Sequence, residues 1–541
     1  MKKTLAFILL NFSILYGQQF IPHDKLAQDF DSLVVLLEKT HPDPYMPFGG
    51  KMAFHKKALS SRSQIPESGM SKADFYFLLS GFVSKLHDGH TYIDYPIEHD
   101  KQEEKILPVK FTIAGDCLFI KEAQAGYEQY LGYRLQGVNG ISINDFLEKI
   151  QFIEPCENIY GAYSSLRKTL FLKSLTQRLF PGIKNSIDCE LLSPSGEKTS
   201  TVLTYAEDNK SIKWSSFPSQ IKNVQNDSVL FAYQFLDDKK ETAYFIFNAV
   251  NAREGFEYMK AYNMDYRNQL NNIYARYCPA QPKPINDDIA IANLPSLTET
   301  FWNMLTEMKK ADSKYLIIDL RQNGGGMTPI TIPTLYMLTG DKYFSYIPNI
   351  EYNTLISGLW LDKFRMTLED LNKRNGSSYI LGDYRFSYFM PQDTTIPVPE
   401  RREDYLNSWA ERKQSGTALL RQLGGKSLYS PKIVVLTSPL TFSAAFHYAY
   451  MLKNLCGAVI VGIPSRQAGN TGMETTVFKL KNSGISGSIS NTYQLFFPAD
   501  PTPGKTLQPD YLLNWNDYKK YHFDKQMEIL YIMDLIKRGE I

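Results

Sequence analysis

Three short stretches carry residue types that could do chemistry. In "KIVVLTSPLTFSAAFHYAYML" (432–452) a β-branched, apolar run from Ile433 to Leu436 ends in a Pro-containing turn, and Thr441-Phe442-Ser443 opens a helix. A serine at a strand-to-helix corner stands where a nucleophile or an ordinary N-cap would stand. The unpaired Ala444 N–H of the first helical turn and the positive end of the helix dipole favour an oxyanion at that corner; removing one such donor typically costs about 3 kcal/mol. His447 lies one helical turn further on and shares a face with Ser443. It reaches the hydroxyl only from the protein side and is badly placed to hand a proton to a leaving amine, so it reads as a structural neighbour. The base must come from elsewhere.

"IIDLRQNGGG" (317–326) is a strand that delivers three glycines at its C-terminal end, where bare N–H groups can approach an anion closely. There is no G-K-[S/T], and "GGGMTP" does not make G-x-G-x-x-G, so phosphate is a weak reading. A tight turn is the plain reading, and an oxyanion site built from Gly324 and Gly325 the sharper one. "LHDGHT" (86–91) spaces His87 and His90 around Asp88. The Asp-Gly pair breaks the helix there, no third nitrogen or sulfur ligand recurs nearby and H-E-x-x-H is absent, so no metal is expected. His90, fixed in a turn, is a candidate base, and His87 an ordinary packing or surface residue.

These stretches need elements to hold them. Residues 23–86 read as helices: "DKLAQDFDSLVVLLEKTHP" is stopped by Pro42, and "SKADFYFLLSGFVSKLHDGH" has Ser71 as N-cap and Asp88-Gly89 as its stop. From about 105 to 205 the period becomes strand-like, and "YRLQGVNGISINDFLEKI" predicts a strand pair around Asn139-Gly140, then a helix from Asn144. After about 225, "ETAYFIFNAV", "KYLIIDL", "KIVVLTS" and "GAVIVGI" alternate with helical stretches, which requires crossover connections and an at least partly parallel sheet. Between about 340 and 430 the alternation lapses, as expected of an insertion over the site rather than a part of that sheet.

The whole chain bounds the answer further. Its 541 residues exceed one core, and 43% apolar with 21% charged residues is the balance of a soluble globular protein. A net charge of +2, with basic residues spread out, argues against a nucleic-acid partner. The N-terminus "MKKTLAFILLNFSILYGQQ" has two lysines, an apolar stretch from Leu5 to Tyr16 and then Gly17, the pattern of a secretory signal over 1–17 too short to span a membrane. No later run is apolar for 18 residues, so the mature protein is expected to be soluble and exported, to the periplasm, cell surface or medium, with no stable membrane insertion. The five cysteines are far apart, with no C-x-x-C; one disulfide could form in an oxidising compartment, and buried free thiols are the plainer reading of an odd count.

Taken together, "DLRQNGGG", "LTSPLTFSAAF" and "LHDGHT" resemble the motifs of the tail-specific (C-terminal processing) serine peptidases, a group that includes the tricorn core proteases and the interphotoreceptor retinoid-binding repeats. "YRLQGVNGISINDFLEKI" resembles the end of the PDZ-like module these proteins often carry. The resemblance covers most of residues 70–515. It implies a multi-domain α/β protein: a helical region over 18–102 carrying the D-G-H motif, a β-rich PDZ-like module over 103–205, and an α/β (ClpP/crotonase-like) catalytic domain over 206–541. It also implies Ser443 as nucleophile, oxyanion donors from Ala444 and the Gly324–Gly325 turn, peptide or unfolded protein as substrate, and no cofactor. One branch of the family takes its base from a lysine about two dozen residues after the serine; here that segment reads "GIPSRQAGNTG", and Arg466 stays protonated. The tricorn-like branch uses a histidine in the D-G-H region, which His90 matches. Glu474 and Asp510 are the candidates for a third member of the relay. Two positions depart from the family's pattern: Gly89 where the tricorn-like branch has a serine, and Phe446 where an acid is common. The alternative is a silent family member that binds a peptide, glycan or lipid.

Overall fold

The computed structural model describes residues 20–95, 104–180, 182–207, 212–221, 224, 228–390 and 393–541; the predicted secretory signal lies outside them. Three helices, His23–Thr40, Lys51–Arg62 and Lys72–Val83, begin the described chain. The first ends at Thr40, two residues before Pro42, and Ser71 Oγ accepts from Asp74 N–H at the start of the third, both as the sequence predicts. Leu26, Phe30, Phe54, Phe75 and Phe82 fill the space between them, and the same core takes Phe478, Leu480, Ile485 and Ile489 from the far end of the chain. The helical region is therefore completed by a C-terminal hairpin.

Residues 109–204 form a six-stranded antiparallel sheet in the order Lys198–Thr204, Ser186–Leu192, Arg134–Val138, Cys117–Ala123 and Val109–Ala114, with Ile141–Ser142 folded back on Arg134–Val138. Asn139 (φ 50°) and Gly140 (φ 73°) make the predicted hairpin turn, and the helix that follows starts at Ile143 with Ser142 as its cap. The helices Ile159–Phe171 and Lys173–Leu179, inserted before the last two strands, have no counterpart in the sequence reading.

The central sheet runs Phe231–Phe235, Thr242–Phe247, Tyr315–Asp319, Lys432–Thr437, Val459–Gly462 and Tyr511–Leu512; the first pair is antiparallel and the rest are parallel. Its middle strands are buried on both faces, which is why they read as continuous apolar runs. Phe245, Ile318 and Val435 pack against helices on one face. Ile246, Ile317, Val434 and Leu436 share a core with Leu118, Phe146 and Leu166 of the β-rich module on the other. Within 340–430, the strands Glu351–Leu355 and Tyr384–Tyr388 join neither this sheet nor the site. They extend a second sheet made with the long hairpin Asn470–Lys479 and Ser486–Leu495. The same hairpin takes Tyr92–Ile93, directly after the D-G-H loop, as an edge partner.

A buried charge cluster closes the C-terminal ends of the central strands. Arg321 pairs with Asp319 at 2.6 Å and with Glu528 at 2.8 Å, and Tyr244 donates to Asp319 at 2.6 Å. Arg321 holds the Glu528 carboxyl down at about 2 against the opposing effect of burial. Removing the cation strands two buried carboxylates. Arg321→Met is accordingly expected to lower the unfolding free energy by about 3–5 kcal/mol, read by urea denaturation.

Candidate active site

The strand Lys432–Thr437 and the helix Ala444–Cys456 meet at Ser443, which has φ 54° and ψ −126°. A non-glycine residue in that region is strained, and such strain persists only where surrounding bonds impose it. Here Phe442 N–H donates to Asn323 O at 3.0 Å, Thr441 Oγ1 donates to Leu320 O at 2.8 Å, and Ser443 N–H donates to Gln467 Oε1. The glycine turn fits directly beneath the corner. A Cβ on Gly325 (φ 101°) would lie 2.6 Å from Ser443 Cβ and 3.0 Å from Ala444 N, so no side chain can stand there. The Gly325 N–H is already given to Asn323 Oδ1 at 2.9 Å, which withdraws one of the two expected glycine donors. Gly324 and Ala444 keep N–H groups with no acceptor among the described residues, and Gly324 lines the same cavity as Ser443.

His90 reaches that cavity from the other end of the chain. His87 (φ 50°) turns the backbone out of the helix, and its Nδ1 lies 3.2 Å from Cys156 O. Asp88 then ties the loop down, accepting from His90 N–H at 2.9 Å and Thr91 Oγ1 at 2.6 Å, with His41 Nε2 at 3.2 Å. The fit is close: a Cβ on Gly472 would lie 2.3 Å from Asp88 Oδ2. The His90 imidazole stacks on Phe442, the residue before the serine, with ring centroids 4.5 Å apart and planes 25° apart. Both ring nitrogens are buried without a hydrogen-bond partner, although the Gly472 backbone lies near the ring. Burial pulls the imidazole below the usual histidine value, against the opposing pull of Asp88.

A carboxyl that the sequence reading missed faces this imidazole. Glu157 Oε1 lies 4.0 Å from His90 Nδ1; Glu157 accepts from Gly89 N–H at 2.9 Å and from Ala468 N–H at 2.6 Å. Burial, followed by the charge of Asp88, pushes its carboxyl up to about 8. Gly89 is needed at its place, since a Cβ there would come within 2.8 Å of Glu157 Oε1 and 3.2 Å of Phe442. The one signal in the sequence is Asn158, which caps the helix Ile159–Phe171 and fixes the acid just before it. Gln467 and Asn323, which orient the serine and the glycine turn, had no distinguishing pattern.

The other sequence candidates lie elsewhere. Glu474 (φ 57°) is ion-paired with Lys363, its charge reaching His90 only at a distance. Asp510 pairs with Lys453 at 2.7 Å and accepts from Ile460 N–H at 2.8 Å, an anchor at the sheet edge. Phe446 belongs to an apolar cluster with Ile350 and Phe496, which accounts for the absence of an acid there. His447 has both nitrogens committed, Nε2 at 2.8 Å from Gln494 Oε1 and Nδ1 at 2.9 Å from Thr328 Oγ1, and burial brings it down to about 4.

The cavity holding Ser443, Gly324, Phe442, His90, Glu157 and Arg466 measures about 460 Å³ and takes no lining residue from 340–430, so that stretch is not a cover over this site. Asp88, His90 and Glu157 place potential ligand atoms within 4.8 Å of one another, the geometry of a small metal site. Both carboxylates are already held in place by N–H and O–H donors. That donor set suits an acid–base pair better than a cation. All five cysteines are unpaired.

With this geometry in place, comparison with known proteins is informative. Residues 288–511, which include the glycine turn and Ser443, match the model of Peptidase family S41. The chain carries an S41 peptidase domain. That agrees with the tail-specific, C-terminal processing resemblance of its motifs and supports a serine peptidase. Among solved structures, mature CPAF complexed with lactacystin overlaps at a TM-score of 0.55 with 15% identity, over 94% of this chain and 98% of that one. Mature CPAF alone gives 0.55 and 14%, over 94% and 97%. The photosystem II D1 C-terminal processing protease gives 0.38 and 14%, over 91% and 94%. At these identities CPAF shares the fold. A search of curated proteins found no match.

The neutral burial of His447 has a measurable cost in acid. The unfolded chain protonates this histidine near pH 6.5 and the folded chain only near 4, so stability present above 6.5 drains as pH falls between those values. The decline is at most about 1.4 kcal/mol per pH unit. In urea unfolding from pH 7 to 4, His447→Asn should show a shallower decline than the wild type by that amount.

Proposed function

We propose that the protein is an exported serine peptidase acting on peptides or unfolded proteins through an acyl-enzyme. Ser443 Oγ attacks the peptide carbonyl carbon as His90 takes the hydroxyl proton. The developing oxyanion is met by Ala444 N–H and Gly324 N–H, free donors at the corner and on the glycine turn. His90 then returns the proton to the leaving amine, and a water activated by the same imidazole hydrolyses the ester. Glu157, facing Nδ1, replaces Glu474 and Asp510 as the third member: it orients the ring as an acceptor beside Nδ1, while the Asp88 charge stabilises the imidazolium as the proton is held. The β-rich module over 103–205 is assigned to peptide capture, on the PDZ-like resemblance alone. Export rests on Lys2, Lys3 and the apolar stretch after them; no helix among the described residues is long and apolar enough to cross a membrane.

The observation that carries this reading is an unpartnered imidazole in the same cavity as a strained serine at a helix N-terminus. A silent binding protein has no need of either.

A fluorophosphonate probe tests the chemistry by intact mass. Wild type is expected to gain one adduct, and Ser443→Ala none; equal labelling of both, or none of either, contradicts the assignment. Against a peptide library, His90→Ala should lower turnover by about a thousand-fold or more. Glu157→Gln should lower kcat by about ten- to a hundred-fold at little change in KM, the split expected of a group that acts through the base.

A further inference from the structure

Arg466 is a cation in the catalytic cavity that the proposed reaction leaves unused. Its guanidinium lies 4.7 Å from the centroid of the Phe442 ring, one residue from the nucleophile. Its Nε is buried without a hydrogen-bond partner, and the side chain makes no ion pair among the described residues while lining the open cavity. The acids around it are not free to neutralise it. Glu157 and Glu154 act on it only through space and form no ion pair with it; Glu157 is engaged by two backbone N–H groups, and burial pushes both acids towards their neutral forms. Asp94, also on the cavity wall, is raised by burial as well. Arg167, near enough to repel it though not on the cavity wall, is a second guanidinium with no carboxylate partner among the described residues, and Lys168 adds a positive charge on the wall itself.

A desolvated cation without a counter-ion is costly, and the arrangement is relieved when a carboxylate enters. Guanidinium is the side chain whose planar fork matches a carboxylate with two parallel N–H···O bonds. We propose that Arg466 is a specificity residue that binds a substrate carboxylate within a residue or two of the bond cleaved at Ser443. The carboxylate comes either from an Asp or Glu side chain or from the α-carboxylate at the peptide's C-terminus; the two share the chemistry and are told apart by experiment. The proposal rests on the peptidase reading for its location, and its test is a binding measurement that needs no turnover.

The test uses the full chain carrying Ser443→Ala and matched synthetic peptides, measured by calorimetry. One set exchanges Glu for Gln position by position with both ends blocked, and the other compares a free C-terminus with its amide. In one of the two sets the carboxylate form should bind at least about tenfold more tightly, and the added substitution Arg466→Gln should bring the ratio to about one. Preference confined to the first set identifies an acidic side chain, and preference confined to the second a chain terminus. The proposal is overturned if no matched pair differs by more than about twofold, or if the preference survives Arg466→Gln. Where Arg466→Gln has lost its cooperative thermal transition, Arg466→Lys decides: a reduced ratio supports the guanidinium fork and an unchanged ratio overturns it. Fluorophosphonate labelling of Ser443 without any carboxylate preference removes this proposal alone, whereas preference without labelling removes the peptidase reading and keeps the carboxylate site.

Discussion

Everything at this site depends on one buried imidazole on the wall of the cavity. His90 lies flat against Phe442 with neither nitrogen bonded, and burial favours its neutral form. A base must be neutral to accept a proton and must be supported once it has done so. Asp88 supplies that support as a charge and Glu157 as an acceptor beside Nδ1, both from fixed positions, because each is tied by backbone or hydroxyl donors. The same Phe442 that carries the ring precedes Ser443, so the stacking contact and the nucleophile are set by one backbone corner.

That corner holds because distant parts of the chain close on it. The glycine turn after Tyr315–Asp319 pushes Gly325 to within van der Waals contact of Ser443, and Gln467 fixes the serine's own N–H. The D-G-H loop is tied to the C-terminal hairpin through Tyr92–Ile93 and through the close approach of Gly472 to Asp88. Glu157 arrives on a third element, ahead of the helix Ile159–Phe171, and bridges the loop at Gly89 to Ala468. Base, acid and nucleophile thus come from three regions that share cores with the central sheet or its hairpin, and no one region holds the site by itself.

What was legible in the sequence follows from how local the causes are. The buried parallel strands, the Ser71 cap, the Asn139-Gly140 hairpin and the serine at the strand–helix corner are set by neighbours within a few residues, and all stand in the structure as read. The stretch 340–430 reads as an insertion over the site and outside the central sheet; it lies outside that sheet but does not line the site, and its two strands extend the sheet of the hairpin 470–495, a partner invisible to local pattern. Glu157 was missed for the same reason. A carboxyl becomes special by being buried beside a histidine far away in the chain, and nothing in the residues around it signals that burial. Glu474 and Asp510 had motif positions in their favour, yet a lysine beside each makes an ordinary ion pair. Gly325 shows the limit at finer scale: the turn was readable, whereas the capture of its N–H by Asn323 is a matter of one side-chain rotation.

The central claim is that His90, kept neutral by burial, takes the proton of Ser443. The rate of fluorophosphonate inactivation as a function of pH measures that transfer without any knowledge of the substrate. The account predicts a rate that is flat at neutral pH and falls in acid with an apparent pKa below the ordinary histidine value of about 6.5. It also predicts that His90→Ala loses that limb together with at least about a thousand-fold in rate. A limb that persists unchanged in His90→Ala, or inactivation of wild type that does not depend on pH, would contradict it.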